Sequence, residues 1–495
     1  MDILIIGSGL GGLFCGAFLA KEGHKVTVLE KNGRIGGGLQ TFFRDGEMYE
    51  TGMHVAGGFQ EGGVLNHICR YLGILDKLEL HTTDLMSSVT FLSQHHTYDI
   101  PSGRNQFAEY LKKEFPDSRD AVERYIDALF RLSEEESLFY MKSGQNGFFE
   151  HSDEFFMPAD KFIASYIDDP ELRSLVAFVN PLYAGVAGHS PAYLHAMISV
   201  LFIEQPCRFS KGSSQLADAL AGVIKAGGGA VIPGCEVRKT VIRDRKVEYL
   251  IDSRGREYRA DVYISDIHPC ALLDTIDGKA FTPFYCERLR SIPVTVSAFK
   301  VFARLKTGSM PYIGHPVSVI DSKENVWALS EYSPAGWPHG INCFFTPDAD
   351  GRYATHMSLM ALMNWSEVKE WEKTRTGHRG EAYESWKKEC TERMISMMES
   401  VFPGIRDNIA DCFSASPLTF RDWLGTKEGS IYGYFKDSEN LIFSQLPIRT
   451  KVENLLLTGQ NVNMHGIGGV PMTAIETVET LLGNDTVVGK IKQIM

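Results

Sequence analysis

Residues 2–30 read as one continuous unit: an apolar strand, a glycine turn, a helix, a second strand and an acid. The run Asp2-Ile3-Leu4-Ile5-Ile6 is apolar without alternation. Such a run suits a strand buried on both faces of a parallel sheet. Gly7-Ser8-Gly9-Leu10-Gly11-Gly12 follows and fits G-x-G-x-x-G. Gly7 permits the tight turn, Gly9 lets backbone approach a pyrophosphate, and Gly12 lets the next helix pack close to the strand. A helix is predicted over residues 10–22, and Gly23 ends it well. The second strand, Lys25–Leu29, finishes at Glu30. That acid is placed to accept hydrogen bonds from ribose hydroxyls while the helix N-terminus takes phosphate. An acid here, not a basic residue, argues against a ribose carrying a 2′-phosphate.

Composition narrows the classes further. With 50 Lys and Arg against 62 Asp and Glu, the formal net charge is −12. A nucleic-acid partner is not expected, because binding phosphates needs a basic surface. No stretch approaches the roughly 18 consecutive apolar residues of a membrane span. The apolar opening runs into Gly7 with no basic region before it, so no signal peptide is expected. A cytoplasmic location follows, with room for peripheral contact with a membrane. The nine cysteines are scattered and form no C-x-x-C. Free buried thiols are expected, not disulfides or zinc. The 15 histidines show no H-E-x-x-H spacing, so no metal site is expected.

A second glycine cluster follows the acid: Glu30-Lys31-Asn32-Gly33-Arg34-Ile35-Gly36-Gly37-Gly38. A simple nicotinamide site has no use for it. The cluster resembles the extended signature E-(K/R)-x-x-x-x-G-G of FAD oxidoreductases of the glutathione-reductase-like type. That resemblance implies that Arg34, Gly36 and Gly37 line the diphosphate and flavin side. No second G-x-G-x-x-G appears later, so a separate built-in nicotinamide domain is not expected. Near the C-terminus, residues 453–460 read as a buried strand ending in the turn Thr458-Gly459-Gln460. The loop that follows includes Met464-His465-Gly466-Ile467-Gly468-Gly469-Val470, and Pro471 is expected to open a helix to about residue 482. Backbone N–H groups at Gly468 and Gly469 could face an electron-rich ring oxygen, with the helix dipole favouring negative charge there.

These two stretches together resemble the carotenoid and retinoid oxidoreductases, which include phytoene desaturases, carotene isomerases and retinol 13,14-reductases. Gly52-Met53-His54 is similar to that family's Gly-Ile-His, and Thr458-Gly459-Gln460 to its Thr-Gly-Gln. The segments Ser416-Pro417-Leu418-Thr419 and Gly429-Ser430-Ile431-Tyr432-Gly433 also resemble family runs. The middle matches less closely: Lys211-Gly212 stands where the family often has Gly-Gly, and Asp266-Ile267-His268-Pro269 where it often has Asn-Ala-x-Pro. In the family a valine equivalent to Val237 contacts the adenine side through its backbone.

The resemblance implies an α/β fold: a Rossmann-type, glutathione-reductase-like FAD-binding domain with an inserted α+β substrate domain. It assigns residues 1–75, 205–285 and 440–495 to the FAD-binding domain and 76–204 and 286–439 to the substrate domain. The cofactor residues expected are Gly7, Gly9, Gly11, Gly12, Glu30, Lys31, Arg34, Gly36, Gly37, Val237, Gly459, Gln460, Gly468, Gly469 and Val470. Local pattern agrees: residues 216–226 are helical in period, strands are predicted at 237–242, 246–252 and 262–265, and strand-like runs appear at 294–303 and 354–362. Residues 107–140 and 381–402 read as amphipathic helices.

The aromatic segment Phe148-Phe149, Phe155-Phe156-Met157 and Phe162 reads as domain core before it reads as a membrane-facing mouth. Phe178, Tyr183 and Tyr193 fit a tunnel lining and core packing equally. The Ser213-Ser214 pair reads as a helix N-cap. His54, Tyr432 and His465 are the candidate proton donors or acceptors. The activity implied is an FAD-dependent change in saturation or geometry of a C=C bond in a lipophilic polyene or isoprenoid, with an external electron donor or acceptor. Reduction is slightly preferred to desaturation. Two alternatives share the scaffold: a flavin amine oxidase, and a non-enzymatic lipid-binding protein of the kind seen in Rab GDP-dissociation inhibitors.

Overall fold

The computed structural model describes residues 1–142, 150–276 and 280–495. The chain opens with strand β1 (Asp2–Ile6), helix α1 (Leu10–Lys21) and strand β2 (Lys25–Leu29), then a hairpin of β3 (Thr41–Arg44) and β4 (Glu47–Glu50). Strands β5 (Leu85–Phe91) and β6 (His96–Pro101) precede a helical region that ends with α2 (Ala192–Glu204). Helix α3 (Ser214–Ala226) leads to β7 (Ala230–Ile232), the strands β8 (Val237–Arg243), β9 (Lys246–Asp252) and β10 (Glu257–Tyr258), and β11 (Val262–Ser265). Then come β12 (Ser297–Leu305), β13 (Val317–Ile320), β14 (Gly340–Pro347), β15 (Ala354–Met363) and β16 (Ile409–Ala415). Helix α4 (Pro417–Leu424), strand β17 (Leu455–Leu457) and helix α5 (Gly466–Leu482) complete the parts that build the site.

One sheet is five-stranded and wholly parallel, in the order β17-β11-β1-β2-β7. β1 is central, which explains its unbroken apolar run: Ile3 to Ile6 are all buried. Helix α1 is apolar on every side because it is enclosed by the sheet, α3 and α5. A Cβ at Gly16 would lie 2.7 Å from Ile224 Cδ1, so the small residue sets the α1–α3 distance. β8, β9 and β10 form a small antiparallel meander beside this sheet.

A seven-stranded sheet stands apart from it, in the order β16-β12-β15-β14-β13-β5-β6. All its pairs are antiparallel except β5 with β13. The apolar runs expected at 294–303 and 354–362 are its strands β12 and β15. The helical reading of 107–140 resolves into Arg104–Glu114 and Arg119–Glu134, broken at Phe115-Pro116, where the proline ends the first helix. Phe155 and Phe162 are buried in the core, and Phe155 stacks on Tyr193 with centroids 4.6 Å apart. Phe148 and Phe149 lie outside the described residues. The nine cysteines are all free. No helix among the described residues is long and apolar enough to cross a membrane.

Candidate functional site

Strand register builds the site. Ile6 pairs with both Leu29 and Ser265, and Ser265 pairs with Leu457. The carboxyl ends of β1, β2, β11 and β17 are therefore level. Gly7, Glu30, Asp266 and Thr458 follow those ends along one edge, which is where open parallel sheets bind ligands. A cavity of about 620 Å³ begins there, within the roughly 300–1,000 Å³ of small-molecule sites.

The glycine turn leaves little room for side chains. Gly7 has φ +97°, a conformation other residues rarely adopt. A Cβ at Gly9 would meet Asp266 Oδ2 at 2.5 Å. A Cβ at Gly11 would lie 2.7 Å from the Gly459 Cα. Gly12 packs α1 on β1: its Cβ would be 2.2 Å from the Gly7 carbonyl. Gly7, Gly9 and Gly11 line the cavity, whereas Gly12 and Gly459 sit behind it and set the close approach. In the first turn of α1 the Gly12 N–H faces Asp266, while those of Leu10 and Gly11 have no intrahelical acceptor and are open to an anion.

Glu30 is 5% exposed and lines the cavity. It accepts bonds from Ser8 N at 3.0 Å, Ser8 Oγ at 2.7 Å and Asn32 N at 2.8 Å. A carboxylate has about four acceptor positions, so one remains for a ribose hydroxyl. Lys31 lines the same end, but its Nζ donates to the Asp422 carbonyl at 3.0 Å and so ties α4 down beside it. Gly36, Gly37 and Val237 also line the cavity. Arg34 does not. It is exposed, donates to the Thr41 carbonyl at 3.0 Å and lies over Phe43, because the β3–β4 hairpin offers it a nearer partner. Ser213 stands at the α3 N-cap, yet its hydroxyl donates to the Leu39 carbonyl instead of capping.

At the other end, Gln460, Gly468, Gly469 and Val470 line the cavity. The helix there starts at Gly466, not at Pro471, which lies inside it. His465 is extended and Gly466 has φ +74°, so the chain turns into the helix five residues earlier than the proline suggests. Gly468 is thus in the first turn, where N–H groups have no intrahelical acceptor, and it lines the cavity.

The three candidate proton groups differ sharply. His54 lines the cavity, but both ring nitrogens are committed. Nδ1 lies 2.8 Å from Glu50 Oε2, Nε2 lies 2.6 Å from Lys300 Nζ, and the ring stacks on Phe344 at 4.4 Å. Burial, then the Lys300 charge, push its pKa down to about 4. Tyr432 and His465 both line the cavity, their rings 5.0 Å apart. Burial pushes the Tyr432 phenol up. Burial and the Lys436 charge push His465 down to about 3. His465 Nδ1 is buried without a hydrogen-bond partner among the described residues.

Two chemically important residues escaped the sequence reading. Lys300 is 1% exposed on β12, in a stretch legible only as strand. Asp266 was noted only as a departure from a family asparagine. It lies against the glycine turn, facing the N–H groups of Gly9 and Gly12. The cavity then leaves the dinucleotide groups for an apolar chamber. Leu194, Met197, Ile198, Leu201 and Phe202 line it from one face of α2, at the i, i+3, i+4, i+7 spacing of a helix stripe. Phe178 joins them, whereas Tyr183 and Tyr193 lie outside the cavity wall.

Comparison with known proteins bears on these features. The family model described as flavin containing amine oxidoreductase matches residues 10–480. The all-trans-retinol 13,14-reductase of Rattus norvegicus is 22% identical, over 96% of this chain and 84% of its own length. The chloroplastic prolycopene isomerase 2 of an Oncidium hybrid cultivar is 25% identical, over 87% of this chain and 75% of its own. The crystal structure of an oxidoreductase from Methanosarcina mazei superposes with TM-score 0.65 at 18% identity, over 97% of this chain and 100% of that one.

Proposed function

The chain belongs to the flavin containing amine oxidoreductase family and is an FAD-dependent oxidoreductase, and we propose that it acts on carbon–carbon double bonds of a lipophilic polyene or isoprenoid. The observation that carries the proposal is the continuity of one cavity, from the glycine turn and Glu30 through Gly468 to the apolar face of α2. A buried chamber of this lining favours a long apolar molecule, at about 0.8 kcal/mol per buried methylene. The relatives named as a retinol reductase and a prolycopene isomerase act, by their names, on molecules of that kind.

In this proposal Gly7, Gly9, Gly11, Glu30, Lys31, Gly36, Gly37, Val237, Gln460, Gly468, Gly469 and Val470 hold the cofactor, with Gly12 and Gly459 shaping the turn behind it. When bound, FAD supplies the hydride acceptor or donor. Tyr432 carries the proton that must enter or leave the substrate carbon, since its hydroxyl faces the cavity and has no protein partner among the described residues. Its neighbour His465, kept neutral by burial, packs against its ring. His54 positions: Lys300 and Glu50 fix its ring as one wall of the chamber. Residues 1–75, 205–285 and 440–495 form the cofactor domain, and 76–204 and 286–439 the substrate domain. The electron donor or acceptor is external. The enzyme works in the cytoplasm in peripheral contact with a lipid surface, which holds such substrates.

The test is anaerobic reduction of the purified yellow protein, followed by mixing with polyenes and isoprenoids. Re-oxidation of the flavin with matching loss of a double bond is expected. A reduced flavin that no polyene re-oxidises, together with peroxide release on added amines, would replace this reading with an amine oxidase.

A further inference from the structure

One corner of the otherwise apolar chamber is polar. Ser87, Ser318 and Asn342 line it from three neighbouring strands, β5, β13 and β14. Ser87 and Ser318 are 1% and 5% exposed. A bulge in β5 places this serine. Leu85 pairs with Pro101 and Ser87 with Ile100, so Met86 is an extra residue and both Met86 and Ser87 reach the cavity wall. Bulges re-aim side chains in this way beside functional sites.

The hydrogen bonds set the polarity of the corner. The Ser87 hydroxyl lies 3.1 Å from the Pro316 carbonyl and 3.3 Å from Ser318 Oγ. Ser318 Oγ donates to Asn342 Oδ1 at 2.8 Å. That bond fixes the amide, so its NH₂ group is the part left over, without a protein partner among the described residues. A cavity-lining amide N–H needs an acceptor oxygen. Met86, Pro316, Phe344 and Met360, their strand neighbours on the cavity wall, carry no charge. A carboxylate buried here would lack a counter-charge and pay heavily for desolvation. A neutral oxygen does not.

Register gives the corner an address. Lys300 pairs with Met360, Met360 with Asn342, and Asn342 with Ser318, a single row across one face of the sheet. At about 4.8 Å per strand, Asn342 stands roughly 10 Å from Lys300. A molecule anchored at Asn342 presents a bond at a fixed remove from its end to the reacting zone.

We infer that Ser318 and Asn342, supported by Ser87, form a subsite for the neutral oxygen of a terminal hydroxyl or carbonyl group, so that the substrate is an oxygen-ended polyene or isoprenoid and not a pure hydrocarbon. The inference rests on the lipophilic-substrate reading above and narrows it.

The holoenzyme is titrated with a polyene alcohol, the hydrocarbon of equal chain length and the corresponding acid, following perturbation of the flavin absorbance. The alcohol is expected to bind about tenfold or more tightly than the hydrocarbon, as suits one satisfied amide donor. Asn342→Leu and Ser318→Ala should each bring that ratio toward one, with the flavin content of both variants serving as the folding control. Equal binding of alcohol and hydrocarbon by the native enzyme, a ratio unmoved in both variants, or tightest binding of the acid would each overturn the subsite while leaving the lipophilic reading in place. Binding of none of the three would overturn both.

Discussion

Lys300 Nζ lies 2.6 Å from His54 Nε2, and the same ammonium group reaches the carbonyls of Glu50 at 2.8 Å and Thr51 at 3.0 Å. Three donors meet three acceptors. While Lys300 is protonated, His54 accepts at Nε2 and carries its proton at Nδ1, towards Glu50 Oε2. A strand of the seven-stranded sheet thereby grips the turn that follows β4, joining the two halves of the cavity wall.

Replacing Lys300 with Met should orphan those acceptors, each buried unpaired group costing about 1–3 kcal/mol. Burial pushes the Lys300 pKa down to about 7, with Glu50 pulling against it. An unfolded lysine titrates near 10.4. The folded state therefore binds fewer protons between these values, and native stability should rise with pH across that window. Thermal unfolding from pH 7 to 10 is expected to show a lower midpoint for Lys300→Met and a weaker rise than for the native chain. Superimposable pH profiles would remove Lys300 from the role.

Asp266 should make cofactor affinity depend on pH. Burial pushes its carboxyl up to about 7, the Gly12 and Gly9 N–H groups oppose the shift, and Glu30 adds to it. Cys15 on α1 is also within electrostatic reach. A diphosphate at the α1 N-terminus adds negative charge beside this acid and favours its protonated form. Binding should therefore take up a proton above pH 7, and affinity should fall as pH rises, by at most tenfold per unit for one site. FAD titrations of apoprotein between pH 6 and 9 should show that slope, and Asp266→Asn should flatten it. A native titration independent of pH would refute the linkage.

The cofactor end of the fold was legible because each step has a local cause. The unbroken apolar run of β1, the glycines of the turn and Glu30 at the end of β2 are constraints within thirty residues of chain. Arg34 shows where that stops: its direction is decided by the Thr41 carbonyl on a hairpin no motif describes. Pro471 misplaced a helix start because proline tolerates the first turn without requiring it; the turn was made by Gly466. Lys300 and Asn342 were invisible for a different reason. Their chemistry comes from strand register between β12, β15 and β14, and pairing across long separations leaves no periodicity in sequence.

Gly11 tests whether the two ends of the chain meet as the fold requires. A Cβ there would stand 2.4 Å from Asp266 Oδ1 and 2.7 Å from the Gly459 Cα. Backbone on the closing segment has little room to retreat, since Thr458 N is bonded to the Ser265 carbonyl at 2.9 Å. Gly11→Ala should push β17 and its turn away from α1 and yield protein with much less bound flavin. The flavin-to-protein absorbance ratio measures this. A variant with full flavin content would mean the closing segment tolerates displacement.

Tyr432 gives the sharpest separation of chemistry from structure. Its backbone N–H is held by Thr295 Oγ1 at 3.1 Å, and its ring lies against His465, so removing the hydroxyl leaves both contacts in place. Tyr432→Phe should therefore keep its flavin and its thermal midpoint. Proton transfer by a positioned side chain is typically worth about 10²–10⁴-fold in rate, and the flavin half-reaction with substrate should slow by that order. Burial raises the phenol above its ordinary range, so the native enzyme should keep the group protonated up to at least pH 10. A rate that falls steeply as pH rises through 8 would assign the proton to another residue. An undiminished rate in Tyr432→Phe would do the same, and His465, which lines the same cavity with its ring against Tyr432, would be the next to substitute.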